Sequence, residues 1–258
     1  MKAPKSANDY LNDGPSRTVP LSRSVPAYLQ IEEQLADRIE AGEFAAGDML
    51  PTERELTRQL GVSRMTVRAA MDRLVQRDLI VRRQGSGTFV AEPKLRQDAS
   101  KLRGFFEDTV GQGVMPVSRL LEREDMLATR HLAGVLDLSV GEPVYRIVRI
   151  RSARGVPVVL ETSYFPAAVV PGLLAMDLEH SSIYRLMGRE FSARPVRARQ
   201  SLEVATAQGS DASVLGIPAG SPIMLVERVS WDALGRAVEY ARDLYRPDRS
   251  RFVTELTL

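Results

Sequence analysis

Arginine and hydroxyl side chains alternate with apolar ones in one short stretch, SRMTVRAAMDRL, residues 63–74. The guanidinium groups of Arg64 and Arg68 can each donate two parallel hydrogen bonds, to guanine O6 and N7 or to a phosphate. Ser63 and Thr66 can donate or accept single hydrogen bonds beside them. This combination of side chains suits contact with nucleic acid.

A second pair of arginines, Arg149 and Arg151, lies two residues apart in a run rich in β-branched residues. Side chains two apart on a strand project from the same face, so both guanidinium groups can bind one phosphate or carboxylate. The alternative is an exposed strand face whose charge is balanced by acids such as Glu227, because antiparallel sheets often keep one face in water.

The elements that position the first group are two short helices. Thr52 and Glu55 have the spacing of a capping box, and Gly61 ends a helix that begins there. Ser63 is an N-cap residue for a second helix. Before them, apolar residues recur every four positions from Tyr28, which predicts another helix.

In the helix after Ser63, the residues Val67, Ala70, Met71 and Leu74 fall on one arc at 100° per residue. Arg64, Met65, Arg68 and Ala69 point elsewhere, so one face packs and the other faces outward. Two β-rich runs, Leu79–Arg83 and Thr88–Val90, then flank a turn made of Gly85, Ser86 and Gly87. Three helices and a hairpin predict a winged helix-turn-helix.

Charge is segregated along this region. Residues 26–53 contain one Arg and seven acids, whereas residues 54–83 contain eight Arg and three acids. The second range holds two helices and the first hairpin strand, which favours a nucleic-acid surface there. The alternative is a solvated, Arg-rich helix in an ordinary three-helix bundle.

Composition excludes several classes of function. The chain has 258 residues, 44% of them hydrophobic, with no cysteine and two histidines, His131 and His180. Thiolate zinc sites, disulfides and His-rich metal centres are therefore excluded, and we predict no metal and no cofactor. No apolar run approaches membrane-helix length and the first residues lack a secretory signal, so we expect a cytoplasmic protein that is not in the membrane.

The chain is predicted to contain two domains. Residues 1–25 mix Pro, Ser, Asn and Asp without a period and are predicted to be a disordered tail. Residues 26–92 form the winged helix-turn-helix, and residues 93–100 are interpreted as a linker. Residues 101–258 form the second domain.

The second domain contains an internal repeat. VLDLSVGEPVYRIVRIRSARGVPV, from Val135, aligns with VLGIPAGSPIMLVERVSWDALGRAV, from Val214, at an offset of 79 that becomes 80 at the turn. Each copy runs from a helix end into a strand, a Gly-containing turn and a return strand. Two such copies predict an α+β domain with one antiparallel sheet covered by helices.

The stretch LPTERELTRQLGVSRMTVRAAMDRLVQRDLIVRRQGSGTFV resembles the winged-helix domain of GntR-type bacterial transcription regulators. The resemblance implies that six residues approach operator DNA: Glu53, Arg54, Arg64, Thr66, Arg68 and, entering the minor groove, Gly87. Ser63 joins them on the chemical grounds given above. Glu53 is either an acceptor that orients an Arg or reads cytosine N4, or an acid that favours the helix N-terminus.

The remainder is similar to the UTRA effector-binding domain of the HutC-like branch, which has the chorismate-lyase-like fold. The similar pieces are LRGFFEDTVGQG, LSVGEPVYRIVRIRSARGVPVVLETSYFP, SSIYRLM and GRAVEYARDLYRPDRSRFVTEL, in that order. The resemblance implies an effector site made of Gly104, Phe105, Arg149, Arg151, Glu161, Ser182, Tyr184, Glu239 and Tyr245. Tyr184 and Tyr245 can equally be core or rim residues. Several relatives have a hydroxyl residue where this chain has Gly104, so one side-chain contact to the anion is lost.

The sequence therefore predicts a DNA-binding transcriptional regulator, a repressor controlled by a small anionic effector such as a phosphorylated sugar or amino sugar. The alternatives are an effector that is a non-phosphorylated carboxylate metabolite, a catalytic second domain, or a nucleoid protein without a ligand. We predict that it is not an enzyme, because neither histidine belongs to a recognisable triad. A homodimer on a palindromic double-stranded operator is expected, since one winged helix contacts only a half-site.

Overall fold

The computed structural model describes residue 22 and residues 24–256. The prediction of a disordered tail over residues 1–25 therefore falls almost entirely outside the described residues. The chain divides into two compact units, Met1–Pro93 and Lys94–Leu258. Each unit is described by itself.

Three helices and a hairpin form the first unit: α1 Ala27–Glu40, α2 Glu53–Leu60, α3 Arg64–Gln76, β1 Ile80–Arg83 and β2 Gly87–Val90. The capping box of α2 is present as predicted. The Thr52 hydroxyl accepts a hydrogen bond from the Glu55 N–H at 3.3 Å, and the Glu55 carboxylate accepts one from the Thr52 N–H at 2.8 Å. Gly61 then ends α2 in the left-handed conformation, with φ of 65°.

The core of the first unit lies where the predicted apolar arc of α3 meets α1. Ile31 of α1 and Val67 and Leu74 of α3 have no exposed surface. The two hairpin strands pair in antiparallel fashion, with Arg83 opposite Gly87. Gly87 has φ of 120° and begins the second strand, one residue earlier than predicted. The winged helix-turn-helix prediction is confirmed.

The second unit contains the remaining strands and helices. In chain order they are β3 Leu95–Asp98, α4 Phe105–Val110, β4 Pro116–Leu127, α5 Arg130–Leu136, β5 Pro143–Ala153, β6 Val156–Pro166, α6 Ile183–Glu190, β7 Arg197–Thr206, α7 Gly209–Leu215, β8 Pro222–Trp231, β9 Ala237–Tyr245 and β10 Ser250–Val253. Six strands form one antiparallel sheet in the order β4-β5-β6-β9-β8-β7. The predicted α+β class with an antiparallel sheet is confirmed.

Helices cover both faces of this sheet. Neighbouring residues of a strand point to opposite faces, and Ile147 and Val148 of β5 belong to different core clusters. Ile147 packs with residues of α6, whereas Val148 packs with residues of α7. In the same way Tyr245 of β9 packs against Phe105 of α4 while its neighbour Leu244 joins the α7 side.

The internal repeat is present in the fold, as two copies of a helix followed by a hairpin. In the first copy α5 precedes β5 and β6, and in the second α7 precedes β8 and β9. Backbone hydrogen bonds repeat at the same offset of 79: the Gly141 N–H donates to the Ala128 carbonyl and the Gly220 N–H to the Ala207 carbonyl, both at 2.9 Å. The two copies therefore share their turn geometry as well as their order of elements.

The prediction of a linker over residues 93–100 is wrong for its central part. Residues Leu95–Asp98 form β3, which pairs in parallel with β10 near the far end of the chain. Leu95 is buried in a cluster with Val159 and Tyr245 of the large sheet. This segment therefore belongs to the second unit, and the connecting chain is shorter than predicted.

We expect the Thr52→Ala substitution to destabilise α2 by about 1 kcal/mol, because it removes the acceptor for the Glu55 N–H. Amide exchange in residues 53–60 should then become about fivefold faster. Hydrogen exchange followed by mass spectrometry measures this. Thr254→Ala, an exposed position outside any element, is the control, and equal exchange in both variants would contradict the capping role.

Candidate functional sites

The outward face of α3 presents the predicted polar side chains. Ser63, Arg64 and Arg68 are exposed and Thr66 is half-buried, whereas the opposite arc of α3 is buried. Met65 is 72% exposed on the same outward face. This face is an exposed, hydrogen-bonding helix surface of the kind that fits a major groove.

Ser63 has a structural role in addition to its surface position. Its hydroxyl accepts a hydrogen bond from the Thr66 N–H at 3.2 Å, which caps α3. The hydroxyls of Ser63 and Thr66 are also 2.8 Å apart and share a hydrogen bond. The two hydroxyls are therefore held in one arrangement at the start of the outward face.

Glu53 lies in the first turn of α2 and also contacts an arginine of the hairpin. Its Oε1 atom is 3.3 Å from Nη2 of Arg82, and Arg82 also donates a 2.5 Å hydrogen bond to Asp72 of α3. The geometry thus supports both interpretations of Glu53. It is an acid at the N-terminus of α2, and it is also an acceptor that orients an arginine. Arg54 beside it is exposed, as is Gly87 in the hairpin.

Arg82 was not among the predicted site residues. Its signal in the sequence was its position in the first hairpin strand within the basic range. Conversely, not every arginine of that range is free of an intramolecular partner, because the exposed Arg73 and Arg77 form ion pairs with the buried Glu32 of α1. Burial raises the pKa of Glu32, but hydrogen bonds from these two arginines outweigh it and lower the pKa below its ordinary value.

In the second unit, all nine predicted effector residues line one cavity. They are Gly104, Phe105, Arg149, Arg151, Glu161, Ser182, Tyr184, Glu239 and Tyr245. The side chains come from β5, β6 and β9 of the sheet and from the starts of α4 and α6. The cavity volume is about 30 Å³, which matches one water molecule.

Arg149 and Arg151 meet at a single carboxylate oxygen inside this cavity. Arg149 Nη2 donates to Glu161 Oε2 at 2.8 Å, and Arg151 Nε donates to the same atom at 2.9 Å. Arg149 also donates to the Leu178 carbonyl at 3.1 Å. Both side chains therefore lie on the same face of β5, as the two-residue spacing predicted, and they converge on a carboxylate of the protein itself.

Burial and charge pairing shift the pKa values of this cluster. Burial raises the pKa of Glu161, but Arg151 and Arg149 outweigh it and lower the pKa below its ordinary value. Burial lowers the pKa of Arg149 to about 10, a shift that Glu161 opposes. Glu161 and Arg149 are therefore both charged at neutral pH.

The alternative of a solvated strand face is wrong for this pair. Arg149 is 5% and Arg151 3% exposed. Glu227, the acid suggested as their counter-charge, instead accepts a hydrogen bond from Tyr240 at 2.6 Å. The arginines are buried and share one acid of the adjacent strand, Glu161.

A second acid, Glu239, lies at the α6 side of the cavity. Its Oε2 atom accepts hydrogen bonds from the hydroxyl of Tyr184 at 2.5 Å and from that of Ser230 at 3.0 Å. Ser182 caps α6 by accepting from the Arg185 N–H at 3.4 Å. Tyr245 is buried and packs edge-on against Phe252, so it is both a core residue and part of the cavity wall.

Four further residues line the cavity that were not predicted: Ser163, Ile183, Arg228 and Asp243. One of them, Arg228, could have been predicted from the internal repeat. At the offset of 79, Arg228 in the second copy stands where Arg149 stands in the first. Asp243 had no comparable signal, because its position beside the cavity depends on the pairing of β9 with β6.

A larger groove adjoins this cavity. It has a volume of about 960 Å³ and shares Gly104, Ser182 and Tyr184 with the cavity wall. The rest of its lining includes the charged residues Arg103, Arg185, Arg189 and Arg194, with the acid Glu107 beside Arg185. A small anion approaching through this groove would therefore meet positive charge before it reached the buried arginines.

Comparison with known proteins gives a consistent result for both units. Residues 27–90 match the family described as bacterial regulatory proteins, gntR family, and residues 111–251 match the UTRA domain. The HTH-type transcriptional repressor NagR of Bacillus subtilis is 39% identical over 229 residues, covering 89% of this chain and 94% of NagR. The repressor PhnF of Mycolicibacterium smegmatis is 37% identical over 209 residues, covering 80% of this chain and 83% of PhnF.

The crystal structure of PhnF from Mycobacterium smegmatis superposes with a TM-score of 0.67 at 35% identity, covering 88% of this chain and 99% of PhnF. The fold and sites define a DNA-binding transcription regulator with an effector-binding domain. The chain belongs to the GntR family, in the branch that carries a UTRA domain.

Two further structural observations concern the described residues. None of their helices combines the length and the apolar character required to cross a membrane. No group of His, Asp and Glu side chains in that part of the chain is arranged to hold a metal ion.

We expect Arg64→Ala to weaken binding to a specific duplex by about 1–3 kcal/mol, because it removes an exposed donor at the start of α3. The duplex is selected in vitro with the parent protein, and affinity is measured at fixed salt against a scrambled duplex. Arg38→Ala on α1 is the control. An equal loss on both duplexes would make Arg64 a phosphate contact, and no loss would contradict the α3 assignment.

We expect Gly104→Ser to strengthen binding of inorganic phosphate about tenfold, because the new hydroxyl can donate to an anion while capping α4. A Cβ atom at position 104 would meet Oε2 of Glu107 at 2.8 Å, so only the end of that side chain must move. Calorimetric titration measures the change. Gly134→Ser, where a Cβ meets nothing within 4 Å, is the control, and unchanged affinity would contradict the role of position 104.

Proposed function

We propose that the protein is a repressor whose operator affinity is controlled by a small anionic effector, a phosphorylated sugar or amino sugar, bound in the cavity of the second unit. The observation that carries this proposal is the convergence of Arg149 and Arg151 on one atom. Two buried guanidinium groups aimed at one point suit an anionic group with several oxygens. The acids Glu161 and Glu239 can accept hydrogen bonds from sugar hydroxyls.

A carboxylate metabolite is the second candidate. The arginine pair already holds one carboxylate, that of Glu161, with good hydrogen-bond geometry. A ligand carboxylate can make the same bonds. A phosphate has a larger charge and one more oxygen than a carboxylate. Because two guanidinium groups and the hydroxyl of Ser182 line the same cavity, these properties favour a phosphate there.

Effector binding in this proposal requires the cavity to expand. A volume of about 30 Å³ fits one water molecule but not a sugar phosphate. The effector must also take over hydrogen bonds that Arg149 and Arg151 now donate to Glu161. Side chains at the starts of α4 and α6 line both the cavity and the adjoining groove, so they are the ones expected to move.

The proposal includes a homodimer on a palindromic operator in the cytoplasm. One winged helix contacts a half-site, and two-fold symmetry doubles the contact on a palindrome. The effector lowers operator affinity only if it favours a dimer geometry that no longer fits the half-sites, a coupling of about 1–3 kcal/mol. Binding, without catalysis, is sufficient for this role.

Arg149→Ala is expected to give a protein that binds its selected duplex as tightly as the parent but no longer releases it when effector is added. The substitution removes one of the two guanidinium groups from the anion site and leaves the first unit untouched. Calorimetry with glucose 6-phosphate should show at least a tenfold loss of affinity. DNA release is followed by fluorescence anisotropy in the same titration.

The matched control is Arg146→Ala, on the same strand but outside the cavity, where the side chain is paired with Glu122. It should bind effector and DNA like the parent, because partly exposed ion pairs contribute little. If Arg149→Ala binds glucose 6-phosphate as tightly as the parent, the cavity is not the anion site. If the parent binds malate or another small carboxylate but no sugar phosphate, the second candidate replaces the first.

A further inference from the structure

Arg228 and Asp243 form a second polar pair in the cavity wall, on strands β8 and β9. Asp243 is 1% exposed, and the side chain of Arg228 is 15% exposed. Asp243 Oδ2 is 3.7 Å from Arg228 Nη2, which is an ion-pair distance longer than a hydrogen bond. The pair is therefore close enough to interact but is not bonded.

Both members of this pair retain unused hydrogen-bonding capacity. Asp243 Oδ1 and Arg228 Nε are buried and have no hydrogen-bond partner among the described residues. Buried polar atoms are normally paired, and each unpaired one costs free energy. Since both residues line the cavity, a ligand in the cavity is the natural partner for these atoms.

The register of the sheet explains why this pair is incomplete. In the first repeat, Arg149 stands directly opposite Glu161 across the strand pair. At the equivalent position of the second repeat, Arg228 stands opposite Ala241, which has no polar side chain. Two acids of β9, Glu239 and Asp243, lie two residues to either side of Ala241. Each has a carboxylate oxygen 3.7 Å from a guanidinium nitrogen of Arg228.

Asp243 also faces another acid. It stands directly opposite Glu161 on the adjacent strand β6, and like charges in that position repel each other. Burial, together with Glu161 and Glu239, raises the pKa of Asp243 to about 8, against the opposing effect of Arg228. At pH 7 the carboxyl group is therefore mostly neutral, with one O–H donor and one carbonyl acceptor.

We propose that Asp243 is a specificity-determining residue of the effector site, which hydrogen-bonds a hydroxyl group of the effector while Arg149 and Arg151 bind its anionic group. A hydroxyl matches a neutral carboxyl group, because each can donate and accept one hydrogen bond. The inference rests on the proposed function of the cavity. It adds that sugar hydroxyls are recognised separately from the phosphate.

The test compares two probes, glucose 6-phosphate and inorganic phosphate, by calorimetry at pH 7. Asp243→Ala should bind glucose 6-phosphate about tenfold more weakly, because a ligand hydroxyl loses its buried partner. Its affinity for inorganic phosphate, which has no sugar hydroxyl, should change less than about threefold. Asp243→Asn keeps a donor and an acceptor and should stay within about threefold of the parent for both probes.

The dependence on pH gives an independent readout. Only the neutral form of Asp243 is expected to bind the anionic probe well, so affinity should fall as pH rises through about 8, roughly tenfold between pH 7 and pH 9. Asp243→Asn should remove this dependence. The pH series uses glucose 6-phosphate, because a phosphate monoester has a second pKa of about 6 and is already mostly doubly ionised at pH 7.

The charged and titratable groups that line the cavity with Asp243 come from every element around it: Arg149 and Arg151 of β5, Glu161 of β6, Arg228 of β8, Glu239 and Tyr245 of β9, and Tyr184 of α6. The pKa of Arg149 is about 10, that of Glu161 is lowered, and burial raises those of both tyrosines. None of these shifts brings its group into the pH 7–9 window.

Glu227→Gln is the matched control, since it removes a carboxylate from the same pair of strands but on the Tyr240 side. It should behave like the parent with both probes and at both pH values. The inference is overturned if Asp243→Ala loses affinity equally for both probes, or keeps its affinity for glucose 6-phosphate. In either case the proposed function stands as long as Arg149→Ala loses both probes. If the parent binds neither probe, the phosphosugar proposal fails and this inference fails with it.

Discussion

The second unit depends on one interaction, the sharing of a single Glu161 oxygen by Arg149 and Arg151. Two buried guanidinium groups without a counter-charge would carry a large desolvation penalty, and removing one partner of a buried pair typically destabilises by about 3–5 kcal/mol. The carboxylate of Glu161 on β6 supplies that counter-charge to both arginines of the adjacent strand β5. The same arrangement allows a ligand to bind, because a ligand with suitable oxygens can compete with the Glu161 carboxylate for the hydrogen bonds of the two arginines.

The charges around this bridge explain the preference for an anionic ligand. Three arginines and three acids line the cavity, and the raised pKa of Asp243 removes one negative charge at neutral pH. The cavity wall is then net positive, which favours an anion. The chain passes from the connection with the first unit into β3, and the residues after β3 lead to Gly104 in the cavity wall. Gly104 follows Lys94, the first residue of the second unit, by ten residues, so a ligand that moves the start of α4 acts on a segment joined to that connection through β3 alone.

Local chemistry explains which features could be predicted from the sequence. The capping box at Thr52, the glycine at position 61 and the repeated turns depend on residues a few positions apart, so they were visible in the sequence. The parallel pairing of β3 with β10 joins segments about 150 residues apart and only four residues long, and no periodicity marks so short a strand. Likewise the contact of Arg73 with Glu32 depends on how α3 packs against α1, which charge counting along the chain cannot detect.

The repeat also explains why the cavity is chemically asymmetric. Arg149 and Arg228 occupy the same position in the two copies, but the acid opposite the first has become Ala241 opposite the second. One half of the cavity is therefore a closed ion cluster, whereas the other has buried polar atoms with no hydrogen-bond partner in the described part of the chain. A symmetric cavity would bind an elongated ligand in two orientations. This one offers the converging Arg149 and Arg151 at one end and the unpaired polar atoms of Arg228 and Asp243 at the other, so an effector with an anionic group and hydroxyl groups has a single preferred orientation.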